Sequence, residues 1–405
     1  MKEPQINWRR NLAALWFAEF TAIFGFSFTT PFLPLFLKDL GIHQQSELAA
    51  WTGIVASASG LVMAVVSPLW GVLGDRYGRK AMLLRAMVGG GISVGLLGLA
   101  ANPIHMLLLR VLQGGTSGTV AAATALVASG TPRNRVGWAM GILTSSIAAG
   151  SAVGPVVGGL LASTISIRAI FFVGGALLLF SVLPVWLAVE EPALERRTGE
   201  RAPALQVLRS SAPGTLTAVE VLLVCQSLIQ MSYSAFQPLV ALHLIPVAGS
   251  GAAAATGLTF GLAGAASAVA AVVYSSAARR FGYVAVALWA GLLMGGAEIG
   301  TGFAPSVALV ILAGGLAGLF YGAVGPSISS MLGLEAPAEV QARVFGISAS
   351  ATAIGFGLGP LLGGSVAALA SVPLALGMAG AFGVVLAGVV FFGAREPALE
   401  PGLAQ

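Results

Sequence analysis

Between Leu12 and Leu37 the chain carries one ionisable side chain, Glu19. It stands about 8 residues into an apolar run, roughly 12 Å along a helix rising 1.5 Å per residue. Ser27 and Thr30 share its helical face at i+8 and i+11. A carboxyl at such depth in a lipid-solvated helix is costly and usually functional, and its seat suits reversible protonation. An acid held by local hydrogen bonds is the plainer alternative. Arg110 is a second embedded charge, with a structural pair to a helix-end carbonyl or to Glu19 as its plainer reading. Gln226, Gln230, Tyr233 and Gln237 recur at i, i+4, i+7 and i+11 and so line one helix face. Amides buried in lipid need partners or water, which makes this stripe a candidate wall. Phe20, Phe24 and Phe28, with Phe320 and Tyr321, could add aromatic surface. A greasy wall with few polar anchors suits small amphipathic molecules. Glu220 lies at the start of its apolar segment, where it reaches water, and Glu298 reads as structural or interfacial. His43, His105 and His243 sit near segment ends and need only water or headgroups.

The elements that hold these residues follow from composition. Of 405 residues, 57% are hydrophobic and 9% charged, against about 25% charged in a soluble domain. The chain lacks the charges to cover a water-facing surface, so a membrane is its solvent. The net charge of +5 resides in short loops between apolar segments and forms no nucleic-acid patch. A single cysteine, Cys225, permits no intrachain disulfide and no CxxC metal site. No GxxxxGK followed by Ser or Thr occurs, so ATP-driven chemistry is disfavoured, and no Ser/His/Asp or paired-carboxylate set suggests an enzyme. No cofactor or metal is expected. The first apolar run is too long for a signal-peptide core and reads as a retained helix.

A bilayer core asks for about 20 apolar residues per helix. Such runs lie near 11–37, 51–73, 81–101, 104–128, 137–162 and 168–189, then near 215–244, 252–278, 284–304, 306–332, 341–370 and 373–394. The fold expected is an all-α membrane protein of twelve helices. The widest polar break, Glu190 to Pro203, separates residues 1–189 from 214–405, with 190–213 as a linker. With the N-terminus in the cytoplasm, only Lys38 and Arg168 among the 20 basic residues face outward, and Arg110 is embedded. That asymmetry puts linker and both termini in the cytoplasm.

The two parts repeat one another. "GSAVGPVVGG", Gly150 to Gly159, returns 205 residues later as "GFGLGPLLGG", Gly355 to Gly364. "EPALE" at Glu191 returns at Glu396 with the same offset. Parallel repeats of this kind are the plan of rocking transporters. Gly150, Gly154 and Gly158 share a face, as do Gly355, Gly359 and Gly363, and small faces let helices approach closely. Pro155 and Pro360 remove an amide each and should bend their helices. With Gly159 and Gly364, these residues are expected to form a seam along which the two parts rock.

"GVLGDRYGRKAML", Gly71 to Leu83, fills the turn between the second and third segments. Gly71, Gly74 and Gly78 permit close approach and a tight turn. Asp75 is the only acid among Arg76, Arg79 and Lys80, and can cap a helix or pair across the molecule. This stretch resembles the loop signature between helices 2 and 3 of the major facilitator superfamily. "RVLQGGTSG", with Arg110, Gln113 and Gly114, is similar to that family's fourth-helix motif. The Gly150–Gly159 decapeptide resembles the fifth-helix motif of its drug:proton antiporters. Gly25, Pro31 and Pro34 resemble their first-helix motif, with the second proline one residue late. The resemblance is strongest in the first half; in the second the loop signature has decayed to "ARRFGYV", with Arg279 where the aspartate would stand.

The resemblance implies two pseudo-symmetric six-helix halves that alternate access to a central site. It implies that Asp75 meets the start of helix 11, near Pro337 to Gln341, when the cytoplasmic side is shut, with Gly71, Gly74, Arg76, Gly78, Arg79 and Lys80 completing the gate. It gives Glu19 and Arg110 the proton coupling. Phe24, Ser27, Gln113, Gln226, Gln230, Tyr233, Gln237, Phe320 and Tyr321 are the expected substrate contacts. Protonation facing outward would release substrate, and deprotonation of Glu19 facing inward would favour cationic or amphipathic cargo. The partners implied are protons, a small-molecule substrate and the lipid bilayer of a bacterial inner membrane, with the chain acting as a monomer. A sugar or metabolite exporter on the same scaffold, or a non-transporting sensor or lipid-handling protein, are the alternative readings.

Overall fold

Apolar runs with few polar side chains can satisfy their own amides in lipid only as helices. The computed structural model describes residues 7–132, 135–162, 164–191, 214–337 and 340–396, with the side chains of Asp75, Gly137 and Ala342 outside the description. All regular structure among the described residues is helical. The helices are α1 (Trp8–Ser27), α2 (Leu33–Asp39), α3 (Gln45–Tyr77), α4 (Arg79–Leu97), α5 (Pro103–Thr116), α6 (Thr119–Gly130), α7 (Val136–Ala162), α8 (Ile167–Phe180) and α9 (Val182–Ala188). After the linker come α10 (Thr215–Ala248), α11 (Ala252–Phe281), α12 (Tyr283–Gly302), α13 (Val307–Glu335), α14 (Gln341–Leu369) and α15 (Val372–Gly393).

These helices account for all twelve expected crossings. Three crossings are built of two pieces: α1 with α2 across the turn Thr30–Phe32, α5 with α6, and α8 with α9. Residues 215–281 form one long apolar stretch that holds α10 and α11, joined at Gly249–Gly251. Polar side chains cap several starts: Asn102 accepts from the His105 amide at 2.8 Å, and Ser371 from that of Leu374 at 3.3 Å.

The repeat is visible as one cap made twice. The two carboxylate oxygens of Glu191 accept the amides of Arg79 and Lys80, at 2.5 and 3.1 Å, at the start of α4. Those of Glu396 accept the amides of Tyr283 and Val284, at 2.6 and 3.0 Å, at the start of α12. Each helix begins after a glycine at positive φ, Gly78 at 100° and Gly282 at 89°. A Cβ at Gly78 would lie 2.7 Å from Glu191 Oε2. The acid that opens each EPALE copy therefore neutralises the positive end of a helix.

The glycine motifs divide between two jobs, which corrects the expectation of a single rocking seam. Gly150, Gly154 and Gly158 pack on Phe20–Phe32 at α1 and the turn after it. Gly355, Gly359 and Gly363 pack in the same way on Ser227–Leu239 of α10. Ser27 Oγ donates to the Gly150 carbonyl at 2.9 Å, and Ser234 Oγ to that of Gly355 at 3.1 Å. In the first motif only the last glycine meets the other six crossings; in the second, Gly357 and Gly364 do, seven residues apart on one face. A Cβ at Gly159 would lie 2.7 Å from Gly257 Cα on α11. A Cβ at Gly53 on α3 would lie 2.7 Å from the Pro360 carbonyl oxygen and 2.9 Å from Gly364 Cα on α14. The physical reason is helical spacing: residues four apart form one stripe, and the adjoining glycine turns about 100° away to a different neighbour. α7 and α14 continue as helices through Pro155 and Pro360.

These two seams close at one end of the bundle only. On α3, Gly53, Gly60 and Leu61 pack on α14. Val65, Leu69 and Val72 continue the face at four, eight and eleven residues past Leu61, and are exposed, Val72 by 70%. On α11, Gly257, Gly261 and Gly264 pack on α7, while Val272, eight residues past Gly264, is 78% exposed. Trp138 on α7, fourteen residues before the seam residue Ala152, is exposed on the matching face. The bundle is thus cleft at the end that carries Gly78, Gly214 and Glu396, and sealed at the other.

Candidate functional site

The fourth crossing, expected as one helix, is broken. Ser117 is extended and Gly118 has φ 121°, which ends α5 and starts α6. The freed carbonyls find donors from neighbouring helices. Trp70 Nε1 donates to Gly115 at 2.8 Å, and Arg85 Nη1 to Thr116 at 2.9 Å, with the guanidinium 3.6 Å from the Trp70 ring centre. The sequence signal was "GGTSG", too small and polar to hold a helix.

Glu19 sits at this break. It is wholly buried. Its Oε2 accepts from Thr119 Oγ1 at 3.3 Å, and its Oε1 has no partner. Thr119 is the first residue of α6, so the carboxyl lies by the positive end of a helix. Glu19 and Arg110 do not pair. Arg110 donates from Nε to the Val55 carbonyl at 3.2 Å and from Nη1 to Gln113 Oε1 at 2.8 Å. The break separates them: Arg110 ends its reach within α5 and α3, whereas Glu19 meets α6. Thr119 and the Val55 carbonyl went unforeseen, because they are neighbours only in space.

Arg110 borders the sealed end of the cleft. A pocket of about 10 Å³, room for about one water, gathers Thr30, Arg110, Ser234, Gln237, Phe356 and Pro360. Ala56 of α3 also lines it, so five crossings, three from the first six and two from the last six, meet there. Gln113 is buried, with its Oε1 accepting from Arg110, and the Ser27 hydroxyl is engaged by carbonyls of its own helix and of Gly150 on α7.

The four stripe residues of α10 share one environment. Gln226, Gln230, Tyr233 and Gln237 are all half-buried while the residues between them are largely buried. Tyr233 stacks on Tyr321 of α13 with ring centres 4.1 Å apart and planes 18° apart. Tyr321 donates its hydroxyl to Gln230 Oε1 at 3.4 Å. Gln226 Nε2 donates to Thr352 Oγ1 at 3.2 Å, leaving its own Oε1 unpartnered. Phe320 is half-buried and packs on the apolar cluster around Val324 and Ile328.

On α1 an aromatic ladder runs Trp16, Phe20, Phe24, with successive ring centres 5.5 and 6.0 Å apart. Trp16, missed in the sequence although it precedes Phe20 by four, donates to Ser145 Oγ at 3.0 Å. Phe28, the next rung, is wholly buried and takes no part in the open surface.

The basic loop holds its own six crossings together. Arg79 Nη1 donates to the Ala125 carbonyl at 2.8 Å, and Lys80 Nζ to those of Trp186 and Val189 at 3.1 and 2.7 Å. Arg76 is exposed and lies over Tyr77. A Cβ at Gly71 would meet nothing within 4 Å, and one at Gly74 would touch only Met82. The Asp75 carboxylate lies outside the described atoms, as do residues 338–339 of the Pro337–Gln341 stretch that it was expected to meet.

Glu298, read as structural or interfacial, is wholly buried and meets Ser232. Among the described residues no cluster of His, Cys, Asp or Glu could hold a metal ion.

The profile of the Major Facilitator Superfamily matches residues 15–273 and 222–404. Multidrug resistance protein MdtG of Escherichia coli O81 (strain ED1a) is 33% identical over 394 residues, which is 97% of this chain and 94% of that protein. MdtG of Enterobacter lignolyticus (strain SCF1) is 34% identical over 368 residues, covering 90% of this chain and 88% of its own. A crystal structure of a mutant of the nucleoside transporter NupG superposes with a TM-score of 0.75 at 15% identity, over 96% of this chain and 100% of that one.

Proposed function

Because this chain belongs to the major facilitator superfamily, we propose that it exports small amphipathic compounds or drugs from a bacterial cytoplasm across the inner membrane, driven by inward proton flow. It is a multi-pass membrane transporter. The substrate class follows the MdtG relatives, whose name is multidrug resistance protein. The positive-inside bias puts both termini and the cleft mouth in the cytoplasm, so the conformation is inward-open. The two halves, residues 1–189 and 214–405, rock about the α3–α14 and α7–α11 seams.

The observation that carries the proton coupling is Glu19. A wholly buried carboxyl with one free oxygen, beside a break in a helix, has a neutral form that fits its seat. Its anion is costly there. Loss of the proton therefore favours whatever arrangement brings a cation or water to Glu19. Cationic cargo entering between the α1 ladder and the Tyr233–Tyr321 wall provides that charge. Closure at the cytoplasmic end and opening at the other then expose Glu19 to a proton, and its neutralisation removes the attraction for cargo. Arg110, held by Val55 and Gln113 at the sealed end, keeps α5 registered on α3 through the cycle.

Purified protein in vesicles, loaded with a lipophilic cationic dye, should show dye movement that depends on an imposed pH gradient. A Glu19→Gln variant should fold, bind the cationic dye more weakly and lose the gradient's effect. Equal gradient-driven movement by wild type and variant would remove Glu19 from the mechanism. Competition by sugars, with none by lipophilic cations, would favour a metabolite exporter.

A further inference from the structure

Glu298 is a second buried carboxyl, and the cycle above makes no use of it. It projects from α12 and is 0% exposed. Its Oε2 lies 2.6 Å from Ser232 Oγ on α10, and that oxygen lies 2.8 Å from the Ala379 carbonyl on α15. Its Oε1 has no partner. A serine hydroxyl has one proton to give. Were Glu298 ionised, both neighbours of Ser232 would be acceptors, and one short contact would hold no proton. With a proton on Glu298, the carboxyl donates to Ser232 and Ser232 donates to Ala379, so both contacts are satisfied.

The elements packed on α12 bring no counter-charge. α15 has no ionisable residue. α13 presents the Tyr321 phenol, with Glu335 at its far end; α11 carries Tyr274, Arg279 and Arg280 towards the cytoplasmic end. α10 carries Cys225 and Tyr233 in its body, Glu220 near its start, and His243, whose Nε2 sits 3.2 Å from the Ala304 carbonyl beyond the end of α12. Tyr233 is within electrostatic reach of Glu298. It follows Ser232 in the chain and forms the wall with Tyr321.

We propose that Glu298 is a second proton-binding site of the transport cycle, located in the C-terminal half at the junction of α10, α12 and α15 behind the Tyr233–Tyr321 wall. The proposal rests on the reading of proton-driven export and adds a second exchangeable proton to it. When Glu298 gives up its proton to water in the cleft, the carboxylate takes the Ser232 proton as a hydrogen bond and the Ala379 carbonyl loses its donor. The α10–α15 contact loosens directly behind the substrate wall, so the wall and the proton compete.

Proton release on binding tetraphenylphosphonium to purified wild-type protein, followed with a pH-indicating dye, tests this. Glu298→Gln and Glu19→Gln should each release half as many protons as wild type, and the double variant none. Release from Glu298→Gln equal to wild type overturns the proposal. Infrared difference spectra give a second readout that needs no transport. A protonated-carboxyl band missing in Glu298→Gln should fade on alkalinisation and should move in Ser232→Ala, where its hydrogen-bond acceptor is gone. A band that persists unchanged across the pH range of activity, or that ignores Ser232→Ala, also overturns it. If Glu19→Gln retains full gradient-driven efflux, the coupling role of Glu19 fails, while the infrared titration still decides Glu298.

Discussion

Glu19 and Arg110 are both embedded charges, yet the chain keeps them on opposite sides of the α5–α6 break. An ion pair would hold Glu19 ionised and deprive it of a reason to exchange its proton. With neutral partners only, Thr119 for one and Val55 with Gln113 for the other, each charge stays available to a ligand or a proton. The wall residues act differently, through area and stacking. A stacked aromatic pair contributes about 0.5–1.5 kcal/mol beyond its area. Tyr233→Leu should therefore raise the half-saturating concentration of an aromatic cation about three- to tenfold. The proton dependence of efflux, measured in vesicles, should change little. A lost proton dependence with unchanged affinity would place Tyr233 in coupling instead.

The helices carry two kinds of contact, permanent and breakable, and glycine serves both. Gly154 and Gly359 fix α7 to α1 and α14 to α10 within each half. Gly159, Gly257, Gly53 and Gly364 let backbones touch between halves, where contact must form and part in each cycle. Gly257→Val places methyl groups where a Cβ would already lie 2.7 Å from Gly159 Cα. Overpacking costs about 1–3 kcal/mol, which shifts a two-state population by about tenfold per 1.4 kcal/mol. The variant should favour the outward-open state, and a Val72→Cys reporter in it should react several-fold more slowly with a water-soluble thiol reagent. The duplicated caps belong to the permanent class. Glu191→Ala and Glu396→Ala should each lower thermal stability in detergent by about 1 kcal/mol, with dye affinity in the inward-open state unchanged.

At the scale of the whole molecule the exposed faces of α3, α7, α11 and α14 converge at one end and diverge at the other. Val72 and Val272 sit on those faces at the open end. The native Cys225 is buried, so an introduced thiol is read against little background. A Val72→Cys variant should react with a membrane-impermeant reagent in inverted vesicles and remain protected in right-side-out cells. Reaction from outside alone would reverse the orientation argued from the basic residues. Bound lipophilic cation should slow the reaction by drawing the halves together over the cleft.

Hydropathy, breaker residues and the 205-residue repeat already dictated twelve crossings and the stripe Gln226–Gln237. These are properties of spacing along one helix, and spacing is written in the chain. The partners of Glu19 and Glu298, the division of each glycine motif between two neighbours and the open end were decided by tertiary packing. Each depends on which faces of sequence-distant helices meet. Ser232 and Glu298 are 66 residues apart, and no periodicity within either helix carries the information that they touch.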